Sequence, residues 1–210
     1  KYSLNKMSSS GALFDMDKVL DISKNVNSRM TAEEVFDDVE KWAEEYDPEF
    51  ASELKAAPDY AKEILAIGRG GKKPRKDIAV WSGVKDYMGF FYDKYFVPAH
   101  SLPENISAED AVVILEKYPE IYDENDEQDV WFNKIKELAS SLGYAADMKE
   151  YKKNPENFKG SVADIAMILR IAVTGKTVSP DTYAVMKILG AKKVDERINA
   201  ACKSISEGGK

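Results

Sequence analysis

A chain of 210 residues that is 44% hydrophobic and 32% charged can bury the core of one ordinary domain or two small ones, which excludes wholesale disorder. Its formal net charge of −7 argues against a general nucleic-acid coat. It leaves room for a local basic patch, because salt screens exposed charges beyond about 8 Å. The single cysteine, Cys202, excludes an internal disulfide and fits a reducing cytoplasm, and the lone His100 excludes paired-histidine metal sites. No apolar run approaches the length needed to span a bilayer, and the first residue, Lys1, is what an excised fragment would show.

The periodicity is helical nearly throughout. TAEEVFDDVEKWAEEY (31–46) opens with Thr31 and Glu34 in capping-box spacing, then places Val35, Val39 and Trp42 on one face. PDYAKEILAIG has Pro58 at a first-turn position, an apolar face of Tyr60, Ile64 and Ile67, and Gly68 as a stop. Residues 78–96 carry Trp81, Val84, Met88 and Phe91 along one side of a further helix. PAHSLPENIS, with two prolines, reads as a linker near residue 100.

Beyond it, Ser107 and Asp110 cap AEDAVVILEKY, and Trp131, Ile135, Leu138 and Leu142 form the stripe of the next helix, which ends before Gly143. Ser161 and Asp164 cap SVADIAMILRIAVTG, which closes at Gly175. Ser179 is predicted to cap DTYAVMKILG, with Pro180 in its first turn and Gly190 at its end. A last helix, VDERINAACKSIS, is expected to bury Ile198, Ala201, Cys202 and Ile205. Nothing alternates with period two and no internal repeat is present. The expected fold is all-α: two tandem helical bundles, residues 31–100 and 101–210, after a lead-in over 1–30.

Lys6-Met7-Ser8-Ser9-Ser10 resembles the KMSKS loop with which class I aminoacyl-tRNA synthetases hold ATP. Adenylation also needs an HxGH-type histidine pair and a nucleotide-binding parallel sheet, neither of which this sequence can supply. The segment is read as a serine-rich lead-in. The densest basic run is GRGGKKPRK, where Arg69, Lys72, Lys73, Arg75 and Lys76 surround three glycines and a proline. It is either a loop touching phosphates or a solvated connection. KEYKKNPENFKG (149–160) interleaves lysines with Tyr151 and Phe158, rings that are read as pinning a loop to the core in preference to stacking on bases. Asp37-Asp38, Glu44-Glu45 and Asp123 with Asp126 lack calcium-loop spacing and are read as solvated helix surface. Arg170 is the unusual residue, a charge at the end of an apolar helix just before the next helix start. It is either paired with a buried acid or held for a ligand.

Three stretches resemble the C-terminal half of bacterial glutamyl-tRNA synthetases. SSSGALFDMDKVLDIS (8–23) has the family's small-residue lead, then Phe14, Asp15 and Lys18-Val19. PRKDIAVWSGVKDYMGFFY (74–92) resembles its first anticodon-binding bundle. Residues 157–201 match most specifically, through Leu169-Arg170, Thr174-Gly175, Pro180, Leu189-Gly190 and Arg197-Ile198. Because GALFD follows the catalytic half in that family, the true KMSKS-like loop is expected upstream of Lys1.

The resemblance implies a helical cage that takes the unstacked glutamate anticodon, whose second and third bases are U and C. Arg170 matches the arginine reaching the middle base, and Ser179, Pro180 and Thr182 match the segment reading the third. Asp181 departs from the family, which has Gly there, and Thr more often stands where this chain has Ser179. The first-base contact is unassigned, because the matching helix carries Lys62 and Glu63. Arg69, Lys72, Lys73, Arg75 and Lys76 become expected phosphate contacts. The parent would attach glutamate to tRNA(Glu) with ATP and Mg²⁺ in the cytoplasm. The fragment is expected to bind the anticodon loop weakly, to catalyse nothing and to hold no metal or cofactor, with no membrane or DNA partner. Whether tRNA(Gln) is also bound is left open. The rival reading, favoured by the acidic total, is a helical protein–protein interaction module that keeps the fold without RNA binding.

Overall fold

The computed structural model describes residues 14–98 and 102–208. Lys6–Ser10 and His100 lie outside them. The described fold is all-α, as the periodicity predicts. Its one sheet-like feature among these residues is a parallel bridge between Ala145 and Ser161.

Helix α1 (Met16–Asn27) starts where the Asp15 carboxylate accepts the Lys18 N–H at 3.2 Å. It is fastened on one side only. Ser23 Oγ and Asn27 Nδ2 donate to the Ala79 carbonyl at 2.5 and 3.2 Å, while Phe14, Met16, Val19, Ile22 and Val26 remain exposed. Helix α2 (Ala32–Tyr46) has the expected capping box: the Glu34 N–H donates to Thr31 Oγ1 at 3.2 Å, and the Thr31 N–H donates to Glu34 Oε2 at 2.8 Å. Val35 and Val39 are fully buried, and Trp42 packs at the core's edge.

Helix α3 (Pro48–Ala56) was not among the predicted elements. The Asp47-Pro48 pair builds it: the Asp47 carboxylate accepts the Phe50 N–H at 3.1 Å, and proline occupies the first turn. Helix α4 (Pro58–Ala66) begins and ends as predicted. The long helix expected over 78–96 is instead a short one, α5 (Val84–Met88), between single 3₁₀ turns at Trp81–Gly83 and Gly89–Phe91. Gly83 and Gly89 are poor helix formers at the points where it breaks. Val84, Met88 and Phe91 still reach the core.

The remaining helices are α6 (Ala108–Ile121), α7 (Gln128–Ser141), α8 (Met148–Lys153), α9 (Val162–Thr174), α10 (Thr182–Leu189) and α11 (Ala191–Gly208). Helix α9 is central to this half, with α6, α7, α10 and α11 all packed on it. Ile165, Ile168, Leu169, Ala172 and Val173 bury its sides. The Asp164 carboxylate accepts the Ser161 N–H at 2.7 Å at its start. Gly175, at φ +72°, takes the left-handed conformation that ends it. Arg170 therefore sits in the last turn of a helix locked on most sides. In α11, Ile198 is fully buried, whereas Ala201, Cys202 and Ile205 are only half-buried. One buried apolar cluster runs from Val35 to Ile198, and α10 touches α4 across it. No helix among the described residues is long and apolar enough to cross a membrane.

Thr31→Ala removes the cap acceptor of α2 and is expected to lower stability by about 1 kcal/mol. Urea unfolding at constant m-value measures it. An unchanged midpoint would mean that the cap contributes nothing here.

Candidate nucleic-acid interface

Arg170 lies half-buried on the wall of an open cleft of about 320 Å³, lined also by Gln128, Asp129, Trp131, Phe132, Ala166, Asp181 and Thr182, so that two carboxylates border it. Its Nε donates to Thr182 Oγ1 at 3.2 Å, and a terminal nitrogen stands 3.9 Å from the Met167 sulfur. No carboxylate lies within salt-bridge distance of its guanidinium among the described residues. Burial and then the neighbouring Arg75 charge push its pKa below the ordinary arginine value, with Asp181 acting in the opposite direction. Of the two sequence expectations for Arg170, a buried acid partner is absent from the described residues. The guanidinium keeps unused donors facing the cleft.

The turn before α10 differs from the sequence expectation. Its N-cap is Asp181 and not Ser179: the Asp181 carboxylate accepts the Ala184 N–H at 3.0 Å. Ser179 Oγ instead donates to the Pro180 carbonyl at 2.8 Å. The backbone at Asp181 is still non-helical, at φ −54° and ψ 123°, so the helix starts only at Thr182 and Asp181 holds the cap position. The second carboxylate oxygen of Asp181 is 3.4 Å from Gln128 Nε2. This acid, the departure from the family pattern, is thus engaged by the helix start and a glutamine. Thr182 is buried, and Pro180 with it, while Ser179 is half-exposed.

The five cations of the basic loop are not equivalent. Arg69 donates to the carbonyls of Leu65 at 2.7 Å, Asn27 at 2.6 Å and Met30 at 3.3 Å, tying the loop to the α1–α2 turn. Its burial pushes its pKa down. Arg75 grips Asp77 through two nitrogens at 2.6 and 3.2 Å and reaches the Ser179 carbonyl at 3.3 Å. That hydrogen bond to Asp77 holds its pKa above the usual value. Gly68 keeps φ +71° beside the Arg75 stem, where an added Cβ would come within 2.6 Å of Arg75 Cδ. Lys72, Lys73 and Lys76 are exposed and have no carboxylate partner among the described residues.

These three lysines share an open cleft of about 790 Å³ with Arg29, Asn25, Ser28 and the Gly70-Gly71 backbone, and no carboxylate lines it. Lys76 also borders a second cleft, of about 330 Å³, with Lys24, Asp77, Tyr87, Lys176, Ser179 and Pro180. There burial pushes the Tyr87 phenol up to about 12, so it stays a hydrogen-bond donor at neutral pH. Lys176 is anchored by the Asp86 carboxylate and carbonyl. A track of cations, interrupted by Asp77 and Asp86, thus leads from Arg29 and the loop to Ser179, where Arg75 is near enough for its charge to act on Arg170.

Sequence reasoning missed Lys24, Arg29, Lys176, Gln128 and Phe132. The first three lie in other elements and join the track only through folding. Phe132 did leave a signal, being a large apolar residue about 100° round α7 from the Trp131 stripe. Tyr151 and Phe158 are half-buried, and Lys62 is held by Glu33 at 2.7 Å. Asp126 pairs with Lys134 at 2.6 Å, and Glu44 pairs with Lys55.

The anticodon binding domain family matches residues 75–202, and the chain belongs to it. The matched region contains Arg170, the Ser179–Thr182 turn and two cations of the basic loop. Among relatives, the chain is 45% identical over 197 residues to a glutamate–tRNA ligase of Acetivibrio thermocellus, covering 94% of this chain and 36% of that protein. It is 43% identical over 202 residues to a glutamate–tRNA ligase of Clostridium perfringens, with 94% and 37% covered. A glutamate–tRNA ligase of Sorangium cellulosum is 42% identical over 197 residues, with 93% and 34% covered. The chain spans little more than a third of the length of these relatives.

The unequal engagement of the loop cations has a direct consequence for stability. Arg69→Ala removes the donor to three part-buried carbonyls and is expected to cost roughly 1–3 kcal/mol, whereas Lys72→Ala and Lys73→Ala should stay within about 0.5 kcal/mol. Thermal unfolding of the three variants checks this, and equal losses would contradict the tether.

Proposed function

We propose that this chain recognises the anticodon loop of tRNA(Glu) as the anticodon-binding part of a glutamate–tRNA ligase. The observation that carries the reading is Arg170, a half-buried guanidinium with one hydroxyl partner and no carboxylate, opening into a cleft at the end of a basic track. Single-stranded RNA is recognised by such pairs of features: a positive groove for phosphates and a few fixed groups for base edges. Arg170 reads the middle base in this proposal. Ser179, Pro180 and Thr182 present the turn for the third base, and Lys72, Lys73 and Lys76 with Arg29 contact the backbone. Arg69 and Arg75 act by fixing the loop.

In the same reading, residues 1–30 connect to the remainder of a longer cytoplasmic ligase, 31–100 form a first anticodon-binding bundle and 101–210 a second. Glutamate attachment with ATP and Mg²⁺ belongs to that remainder. Binding of tRNA(Gln) depends on the first-base contact, for which no residue is assigned.

The test is a low-salt titration with anticodon stem-loops, one carrying U at the middle position and one carrying another base there. Arg170→Ala should erase the difference between them, a loss of about 1–3 kcal/mol of discrimination. Lys72→Ala or Lys73→Ala should weaken both equally and reduce the slope of log K against log salt by about 0.7. If the native chain binds both loops alike or neither, the anticodon reading fails and the helical interaction module takes its place.

A further inference from the structure

A base lifted out of a stack needs two things from a protein: groups for its edge and a flat apolar surface for its face. The proposed edge reader, Arg170, lies on α9. Across the same cleft, α7 presents Phe132, whose side of the helix is turned to solvent. Phe132 is 37% exposed where its neighbour Trp131 is 7% exposed, although both rings are large and apolar. The Phe132 ring is therefore accessible while the Trp131 ring is largely used by the core. Trp131 donates its Nε1–H to Tyr118 Oη at 2.9 Å, which fixes the α7 register at this point. Lys136, one turn further on, holds its ammonium 4.9 Å from the Phe132 ring centroid. That cation lies over one face of the ring, so a base would stack on the other face, next to a positive charge. Ala166, on α9 one turn before Arg170, lines the same cleft with no more than a methyl group.

We propose that Phe132 is the stacking face for the base whose edge Arg170 reads, with Ala166 kept small so that the base can enter between them. The proposal rests on the anticodon reading above and adds to it a residue that determines how an unstacked base is held. The chemistry is sequence-tolerant by itself, because every base has a π-face. Phe132 would thus supply affinity and Arg170 discrimination.

The experiment uses the whole chain with the anticodon stem-loop carrying 5-iodouridine at the middle position. This substitution keeps the base edge and cross-links to an adjacent aromatic ring under long-wavelength light. The cross-linked residue is then identified by mass spectrometry. The expected result is a cross-link at Phe132, together with a loss of about ten-fold in affinity for Phe132→Leu that Phe132→Tyr restores. Ala166→Leu, which puts a larger side chain into the slot one turn from Arg170, should also abolish the cross-link. Circular dichroism and unfolding midpoints keep a folding defect separate from lost binding. A cross-link elsewhere, with native affinity in Phe132→Leu, would overturn the stacking proposal and leave the anticodon reading intact. Binding that ignores the middle base in the native chain would remove both.

Discussion

A guanidinium taken half out of water must find oxygen or remain costly, and the five arginines of this chain meet that requirement in different ways. Arg69 spends its donors on three backbone carbonyls, and Arg75 spends its own on Asp77 and the Ser179 carbonyl. Arg197, the most buried, donates to the Val173 carbonyl at 2.6 Å, lies 3.8 Å over the Phe96 ring and stands 3.6 Å from Asp93, with its buried Nη2 making no hydrogen bond. Arg29 is exposed. Arg170 has one hydroxyl and a distant sulfur. The apolar packing of α9 holds it where it is, because Ile168, Leu169, Ala172 and Val173 fix the helix on either side of it. Its incomplete satisfaction is why the cleft is proposed as a place for a ligand.

The groups around Arg170 are fixed for the same reason. Thr182, which accepts its hydrogen bond, is buried in the first turn of α10, and that turn is held by the Asp181 carboxylate on the Ala184 N–H. Asp129 also lines the proposed RNA cleft, and Asp181, the acid in this turn, would ordinarily repel phosphate. Here one oxygen is committed to a helix N-terminus, where negative charge is stabilising, and the other faces Gln128. Arg75 extends the arrangement by bonding the turn to the basic loop, and Arg69 ties that loop to the end of α1. Loop and turn are therefore positioned together, and a chain of net charge −7 still offers a cleft lined by four cations and no carboxylate.

Much of the fold is legible in the sequence because its signals are local. Thr31 with Glu34, Ser107 with Asp110, and Ser161 with Asp164 mark helix starts through side chains three residues apart, and Gly175 marks an end. Where two local signals compete, the reading slips. Asp181 takes the cap that Ser179 seemed to offer, and Gly83 and Gly89 break a stripe that periodicity alone would continue. The site is less legible. Arg69 and Lys72 look alike in GRGGKKPRK, yet only tertiary contacts decide which of them is consumed. Arg29 and Lys176 join the loop from elements far away in the chain. Phe132 could have been noticed as a ring off the apolar stripe, but its place opposite Arg170 depends on how α7 packs on α9.

The central claim is that the uncommitted donors of Arg170 are completed by an RNA base. The most direct measurement follows the arginine Nε–Hε signals in a two-dimensional ¹H–¹⁵N spectrum, since the chain has five arginines and Arg170 can be assigned by substitution. Titration with the stem-loop carrying U in the middle should shift the Arg170 signal strongly while the Arg69 signal stays in place, and a loop with that base changed should shift it far less. An Arg170 signal that stays unmoved at saturation, or moves equally with both loops, would contradict the account.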